Sequence, residues 1–413
     1  MVICMKKNFF LLGGNLLNFG IYKKLKQKNF YVVLIDWNSN PQITGDMHIQ
    51  LDVKDHVRVI QEIENLGVKR EEFFGCFTSI DAAVYTQALI YERFGYVYGG
   101  PNIDAAMAKS RMMDLWKNHN LVTRKSITVK PADSAELQLF ATSQVIVKPN
   151  RAASSRSITI CDISNDAQIE TAIKEASEES IDNKVVIEEF VNGTEYTVEM
   201  LIDRNQMPAV YAISKKYHTP YLKSNRVANK LHYNPSDVPV ALLERIADFG
   251  KNCFKALGLK NSFGHLEVIV DDSGNIHPIE MGARSSGFIA SPLVDKVSGR
   301  DYIQDLLDIV FKGKTLQDDY YLGDVSSMYF FYDFPAGQKI IKDIDLMEIA
   351  PKKIKSAFSL KESLRKGHTT GTVKNEHDRL GVEVLYGPSE ALTIEKITAL
   401  EKSLHANVED HKE

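Results

Sequence analysis

The first hundred residues alternate between short apolar runs and helically spaced apolar positions, and no other feature restricts the fold as much. Phe9–Leu12 is apolar and stops at Gly13-Gly14. Leu16, Leu17, Phe19, Ile21 and Leu25 then recur at roughly helical spacing, and Tyr31–Ile35 reads as a buried strand ending at Asp36. Phe73–Thr78 is another apolar run, with a helix from Asp81 to Phe94 behind it. Strand, glycine turn, helix, strand is a βαβ unit, and such units build parallel sheets whose ligands gather at the carboxyl ends of the strands. Gly13, Gly14, Asn15, Asp36, Ser79 and Asp81 therefore share one prospective edge of a site. The turn lacks G-x-G-x-x-G, and only Asp36 stands where a ribose-binding acid would. A nicotinamide dinucleotide is disfavoured, and the simplest role for the glycines is a tight turn.

Beyond Gly99-Gly100-Pro101 the pattern changes. A helix is expected over Ile103–Asn118, an extended segment over Val122–Lys130 and a helical one over Ala135–Phe140. Val145–Lys148 reads as a strand stopped by Pro149, and Arg151–Ser157 as a small polar loop. Strand Ile158–Cys161, helix Asp166–Ser180, strand Val185–Glu188, turn Asn192-Gly193 and strand Glu195–Asp203 follow. A strand near Ala212 leads into a polar stretch, Lys215 to Tyr221 and Asn225 to His232, then a helix over Val240–Leu257 and two strands flanking Asp271–Asn275. The end carries strands Ser326–Phe331 and Gly381–Tyr386, a helix Ser389–His405 and an expected frayed tail from Val408. We read three parts: 1–100, Rossmann-like; 101–320, with a lid at about 122–190; and 321–413, a small separate α+β cap.

Composition narrows the function classes. Of 413 residues, 44% are apolar and 25% charged, which is globular composition and excludes a disordered or collagenous chain. Lys plus Arg is 50 against 54 Asp plus Glu, so no basic excess points to nucleic acid and no polybasic block to an anionic membrane. Cys4, Cys76, Cys161 and Cys253 form no CxxC pair, which argues against a zinc ribbon or disulfide framework and fits a reducing cytoplasm. The apolar run Phe9–Leu12 is too short for a signal peptide, and no apolar stretch approaches membrane-spanning length.

The strongest chemical signal runs from Gly264 to Arg284. It reads as a β-hairpin with a two- or four-residue loop centred on Ser273-Gly274, a register that pairs 271 with 276, 269 with 278 and 267 with 280. Glu267 and Glu280 then face each other, with Cβ atoms about 4.5–5.5 Å apart. Carboxylates so close repel unless a proton or cation lies between them, and hard oxygen ligands on a rigid pair suit Mg²⁺. A polar hairpin face in solvent would show the same alternation, but both acids have apolar neighbours in sequence. Arg284 lies within reach of the same place. His265 is expected as a packed histidine on the opposite face from Glu267.

Two further signals concern a nucleotide. Lys148 closes a buried strand beside a loop whose small side chains, Ser154 and Ser155 among them, let backbone N–H groups approach an anion. Val185–Glu188 runs into the irregular segment Glu189-Phe190-Val191, whose backbone can meet an adenine edge, with Glu195 beyond it for ribose hydroxyls. His218 and Arg226 are expected mostly as solvated loop residues, and Ser285-Ser286-Gly287 as a source of N–H groups for a substrate anion.

Taken in order, Lys109, Lys148-Pro, Glu188-Glu-Phe-Val-Asn-Gly-Thr-Glu195, Glu267 and Glu280-x-Gly-x-Arg284 resemble the ATP-grasp superfamily over about residues 1 to 320, most closely its carboxylate–amine ligases of the L-amino-acid and purine-pathway kinds. The resemblance implies an α/β ATP-grasp fold, α+β in parts, with a Rossmann-like front domain, a mobile lid and a small cap. It implies that Lys109 and Lys148 contact ATP phosphates, that Ser154 and Ser155 lie in the phosphate lid, and that Glu188 faces the adenine amino group. Glu189, Phe190 and Val191 would line the ring edge, and Glu195 would hold the ribose. Glu267 and Glu280 would bind Mg²⁺, with Mn²⁺ as a substitute, and Arg284 would steady the transferring phosphate. The implied reaction joins a small carboxylate to an amine through an acyl-phosphate, releasing ADP and phosphate, in a cytoplasmic enzyme with a homodimer as one expected assembly. A purine-pathway or thiol substrate is the near alternative, and a nucleotide-binding regulator without turnover the more distant one. Two departures stand out: Gly282 replaces the asparagine usual two residues after the second metal-binding glutamate, and the lid has serines where relatives have glycines.

Overall fold

In the computed structural model, residues 7–15, 18–131, 137–219, 222, 226–287, 290–317, 327–332, 335–343, 355–359, 365–375, 378, 381–387 and 389–410 are described. Leu16, Leu17, Ala135, Tyr221, Asn225, Ser326 and the tail residues His411–Glu413, each named in a sequence expectation above, lie outside them.

The chain opens with β1 (Asn8–Leu12), α1 (Phe19–Gln27), β2 (Tyr31–Asp36), β3 (Met47–Gln50), α2 (His56–Asn65), β4 (Phe73–Phe77) and α3 (Val84–Arg93). The four strands form a parallel sheet in the order β3-β2-β1-β4. Every residue of β1 is buried, as a central parallel strand covered on both faces requires. The βαβ expectation holds, and the sequence pattern missed the exposed edge strand β3 and helix α2.

The helix expected over Ile103–Asn118 is broken at Ala108, which is extended (φ −134°, ψ 110°). Ile103–Met107 is a 3-10 turn, and α4 runs Lys109–Asn118. Asn150 accounts for the break: its carbonyl accepts from Lys109 N–H (3.1 Å) and its side chain from Ser110 N–H (2.9 Å). These bonds satisfy helix-terminal donors from outside the helix and fix Lys109 beside the Lys148 strand.

β5 (Ser126–Val129), β6 (Gln144–Pro149), β7 (Thr159–Asp162), α5 (Asp166–Glu179) and β8 (Val185–Glu189) make an antiparallel sheet in the order β5-β8-β6-β7. It has its own apolar cluster, including Val145, Val147, Ile169, Ile173, Val185 and Ile187. Of the expected helix before β6, Leu137–Leu139 is a 3-10 turn.

The large sheet comprises β9 (Gly193–Ile202), β10 (Pro208–His218), β11 (Ala228–Tyr233), β12 (Ser262–Asp271), β13 (Ile276–Gly282), β14 (Ser327–Tyr332), β16 (Lys355–Ser359) and β17 (Gly381–Tyr386), in the order β13-β12-β9-β10-β11-β14-β17-β16. Helices α6 (Val240–Ala256), α7 (Ala290–Ser298) and α8 (Tyr302–Lys312) come from the same stretch of chain. The apolar positions of α6, such as Leu243, Ile246, Ala247, Gly250 and Phe254, recur at helical spacing and are buried.

Three expectations are corrected here. The polar stretch toward His232 is not a loop: Ala228–Tyr233 is strand β11, with His232 buried. The C-terminal strands are not a separate unit either, because β14 pairs with β11 and extends the central sheet to β17 and β16. An edge such as β11 offers unpaired backbone groups, and β14 satisfies them. Nor is the tail frayed from Val408, since β18 (Val408–Asp410), following α9 (Glu390–Ala406), pairs with β15 (Gln338–Ile340).

One core joins the parallel sheet to the large sheet. Phe77 of β4 meets Phe263 of β12 edge-on at 5.6 Å, Phe73 meets Phe311 at 5.8 Å, and the Tyr98 hydroxyl donates to the Ala283 carbonyl at 2.7 Å. The carboxyl end of β4 is thereby held against the end of β13.

Candidate active site

The site grows on the face of the large sheet turned away from α6. Leu266 of β12 packs toward α6, its Cδ2 3.4 Å from where a Cβ on Gly250 would lie. Strand alternation sends His265 and Glu267 to the other face. The registers then set Glu199 of β9 opposite His265, Lys216 of β10 opposite Glu195, and Glu280 of β13 opposite Glu267.

The expected facing pair Glu267–Glu280 is present, but by a different route. Near the turn Val270 pairs with Ile276 and Val268 with Pro278, one residue off the expected register. A bulge between Glu267 and Val268 leaves Ile279 as an extra residue and brings Glu280 back opposite Glu267. The turn falls between the two- and four-residue loops expected: Asp271 N–H bonds to the Asn275 carbonyl at 3.0 Å, and Gly274 between them sits at φ +80°.

Each carboxylate of the pair has its own cation. Lys109 Nζ lies 2.7 Å from Glu280 and also donates to the Ala152 carbonyl at 3.0 Å. Lys216 Nζ lies 3.0 Å from Glu267 and 3.4 Å from Glu195. Burial works against the charge on Lys109, but Glu280, Asp81 and Glu267 together raise its pKa. Burial likewise opposes ionisation of Glu267, and Lys216 and His265 outweigh it and hold the carboxyl well below its usual range.

His265 is on the carboxylate face, because residues two apart on a strand share a face; the expected opposite placement is wrong. Its Nδ1 is 2.7 Å from Glu199 and its Nε2 3.6 Å from Glu267. Burial would strip its proton, yet Glu199 and Glu267 push its pKa up to about 9. Glu199, fully buried, also accepts from Ser286 N–H at 3.3 Å, so that N–H is already engaged rather than open to a substrate anion.

A second buried cluster lies where β6 and β8 meet. Glu188 Oε2 accepts from Lys148 Nζ (2.8 Å) and from Arg124 Nη2 (3.0 Å) and Nε (3.1 Å). Arg124 also donates to the Pro278 carbonyl at 2.5 Å, tying this sheet to the hairpin. Burial opposes the charge on Glu188, but Lys148 and Arg124 hold its pKa at about 2. Burial, reinforced by Arg124, keeps Lys148 below an ordinary lysine despite Glu188. Glu188 Oε1 is buried with no hydrogen-bond partner among the described residues. Such an orphan acceptor is costly and suits a donor arriving with a ligand.

Beside it an open cleft of about 480 Å³ is lined by Thr123, Arg124, Phe190, Val191 and His277, among others. Glu189 and Phe190 spend their N–H groups on the Lys125 and Gln144 carbonyls, both at 3.1 Å. Lys125 N–H turns to the Glu189 carboxylate (2.9 Å) instead of the Glu189 carbonyl. Glu195 meets His218 Nε2 at 3.0 Å and Arg226 Nη1 at 3.6 Å, and Arg226 lies 5.2 Å from the Phe190 ring centre. His218, at the end of β10, and Arg226 thus contact Glu195 rather than standing free in solvent. Burial opposes the charge on Glu195, but Lys216 and His218 hold its pKa at about 2.

The small polar loop after β6 carries Ser154, Ser155 and Ser157 at φ +64°, +54° and +48°, backbone conformations that glycine adopts far more readily than serine. Arg284, beyond β13, makes a two-pronged pair with Asp81: Nε to Oδ1 at 2.7 Å and Nη2 to Oδ2 at 2.6 Å. Burial opposes its charge, and Asp81 more than restores it. The front-sheet edge, by contrast, is internally satisfied. Asp36 accepts from Gly14 N–H (2.6 Å) and Asn38 N–H (2.7 Å), and Asn18 bonds the Leu12 and Gly13 carbonyls. Asp36 is a turn-bonding residue.

Residues 141–292 match the family model described as an ATP-grasp domain. The chain carries an ATP-grasp domain. That segment holds Lys148, Glu188, Glu195, Lys216, Glu267, Glu280 and Arg284, while Asp81, Lys109 and Arg124 reach the site from outside it. The chain is similar to the alanine–anticapsin ligase of Bacillus subtilis (strain 168), 24% identical over 376 residues that cover 84% of this chain and 76% of the relative. It is similar to the D-alanine–D-alanine ligase of Pseudomonas putida (strain GB-1), 24% identical over 228 residues, covering 54% of this chain and 70% of the relative. Its fold matches the crystal structure of an L-amino acid ligase from Bacillus licheniformis with a TM-score of 0.72 at 17% identity, covering 98% of each chain.

Within the ATP-grasp domain, sequence reasoning missed Lys216 and Glu199. Alternation along β9 and β10 from Glu195 carries a signal for both. Arg124, outside the domain, left no signal, since a lone arginine in a polar stretch is unremarkable. Among the described residues no set of three acidic, histidine or cysteine side chains forms a metal cage. A pair of facing carboxylates completed by nucleotide phosphates is the arrangement Mg²⁺ accepts.

Proposed function

We propose that the protein is an ATP- and Mg²⁺-dependent ligase that joins a small carboxylate to an amine, with an amino acid as the acid substrate. The observation that carries this reading is the facing pair Glu267–Glu280, each carboxylate bracketed by a lysine, on the sheet that also presents Arg284. Glu267 and Glu280 would hold Mg²⁺, which neutralises phosphate oxygens and leaves no covalent chemistry for the protein. Lys109 and Lys148 leave their carboxylate partners for ATP phosphates, and Glu188 Oε1 accepts from the adenine amino group. Glu195, steadied by Lys216, His218 and Arg226, accepts from ribose hydroxyls. The carboxylate oxygen then attacks the γ-phosphorus as the bond to ADP breaks. Arg284 balances the charge spread over the transferring oxygens. The amine displaces phosphate from the acyl-phosphate, losing a proton as the amide forms. The loop at Ser154 and Ser155 excludes water, which would otherwise hydrolyse that intermediate.

Support for an amino acid over a phosphorylated purine comes from the front sheet. A second phosphate would need the N–H groups at Gly13-Gly14, and the Gly14 N–H is already given to Asp36. The test is ADP and phosphate release from Mg-ATP with pooled amino acids and small carboxylates, using Glu280→Ala as blank. Release that requires an acid and rises with an added amine is expected. Release indifferent to every acid would overturn the reading.

A further inference from the structure

Asp81 has no part in the reaction as written, yet it makes the most directional contact in the site. It starts a 3-10 turn, Asp81–Ala83, just beyond the carboxyl end of β4. Its carboxylate takes two parallel N–H bonds from Arg284, 203 residues further along the chain, at 2.7 and 2.6 Å. Such a fork sets the plane of a guanidinium as well as its position. Arg284 Nη1 also donates to the Ser285 carbonyl at 3.0 Å. Of the five N–H groups of a guanidinium, three are thereby engaged, which leaves one on each terminal nitrogen.

Both ends of the contact are anchored. Phe77, four residues before Asp81, packs on Phe263, and Tyr98 bonds the carbonyl of Ala283, the residue before Arg284. Gly282 belongs to the same arrangement. A Cβ there would lie 3.1 Å from Asp81 Oδ1 and 3.2 Å from Arg284 Cγ. The Asp81–Arg284 pair occupies the room that a side chain two residues after Glu280 would use.

We propose that Asp81 is a positioning residue for phosphoryl transfer: it fixes the plane of Arg284 so that the two remaining N–H groups face the transferring phosphate, and Gly282 is the residue that makes room for this pair. The front domain thus supplies the geometry of the transfer group through a contact the ATP-grasp domain cannot make alone. This rests on the ligase reading above.

The test is a double-mutant cycle with Asp81→Asn and Arg284→Ala, reading kcat for acid-dependent ADP release, KM for ATP and thermal stability. Asp81→Ala is run alongside, so that one misfolded variant does not decide the matter. Misplacing a catalytic group by about 1 Å costs up to about a hundredfold, so Asp81→Asn should lower kcat ten- to a hundredfold with ATP KM unchanged. The double variant should fall no further than Arg284→Ala alone, since Asp81 acts only through Arg284. Losses that multiply, or full turnover in both Asp81 variants, would overturn this proposal alone. Wild-type protein without acid-dependent turnover would remove the ligase reading and this proposal together.

Discussion

Replacing Glu188 by glutamine keeps the shape of the side chain and removes its charge. Lys148 and Arg124 would then face each other in a buried place with no anion between them. The magnitude follows from the carboxyl itself, held at about 2 against its ordinary 4.5. That difference corresponds to about 3 kcal/mol in favour of the charged form, comparable to the ~3–5 kcal/mol of breaking a buried ion pair. At about 2.1 cal/mol/K of unfolding entropy per residue, a chain of 413 residues shifts by ~1 °C per kcal/mol, so Glu188→Gln should lower the melting temperature by about 3–4 °C at pH 7 without nucleotide. The pH dependence has a definite sign. The folded pKa lies below the unfolded one, so the stabilisation is complete above pH 4.5 and is lost as pH falls toward 2. The gap between wild type and variant, followed by calorimetry, should therefore close across that window. Equal melting at pH 7, or a gap that persists at pH 2, would refute the reasoning.

Three further outcomes are expected. Glu280→Ala should abolish Mg²⁺-dependent ADP release while the chain still folds, checked by a Mg²⁺ titration of turnover and a melting curve; unchanged activity would remove the metal assignment. Lys148→Ala should weaken ATP binding at least tenfold by calorimetric titration, and an unaltered affinity would place that strand end outside the nucleotide site. Arg226→Ala, which loosens Glu195 and uncovers the Phe190 ring, should raise the ATP KM severalfold with kcat nearly kept; an unmoved KM would return Arg226 to a surface role.

Some of the site was legible because its rule is local. Strand period two puts Glu267 and Glu280 on one face of any hairpin that pairs them, and the apolar alternation of the first ninety residues leaves few sheets other than a parallel one. The same rule, applied correctly, would have put His265 beside Glu267. Register was not legible. The bulge at Ile279 changes which residues meet by one position, and nothing in the alternation of a hairpin marks it. The break at Ala108 likewise depends on Asn150, 42 positions away, offering bonds that a helix-periodic segment gives no sign of needing.

The amino-acid sequence by itself determined the chemistry available: which residues carry charge, which strands they sit on, and which glycines and small residues leave room. Only the tertiary structure decided the partners. Arg124 finds Glu188, Lys216 joins Glu195 to Glu267, and Asp81 finds Arg284 across 203 residues. Charge pairing acts over a few ångströms in space and is indifferent to separation along the chain, so it becomes readable only when the sheets have packed.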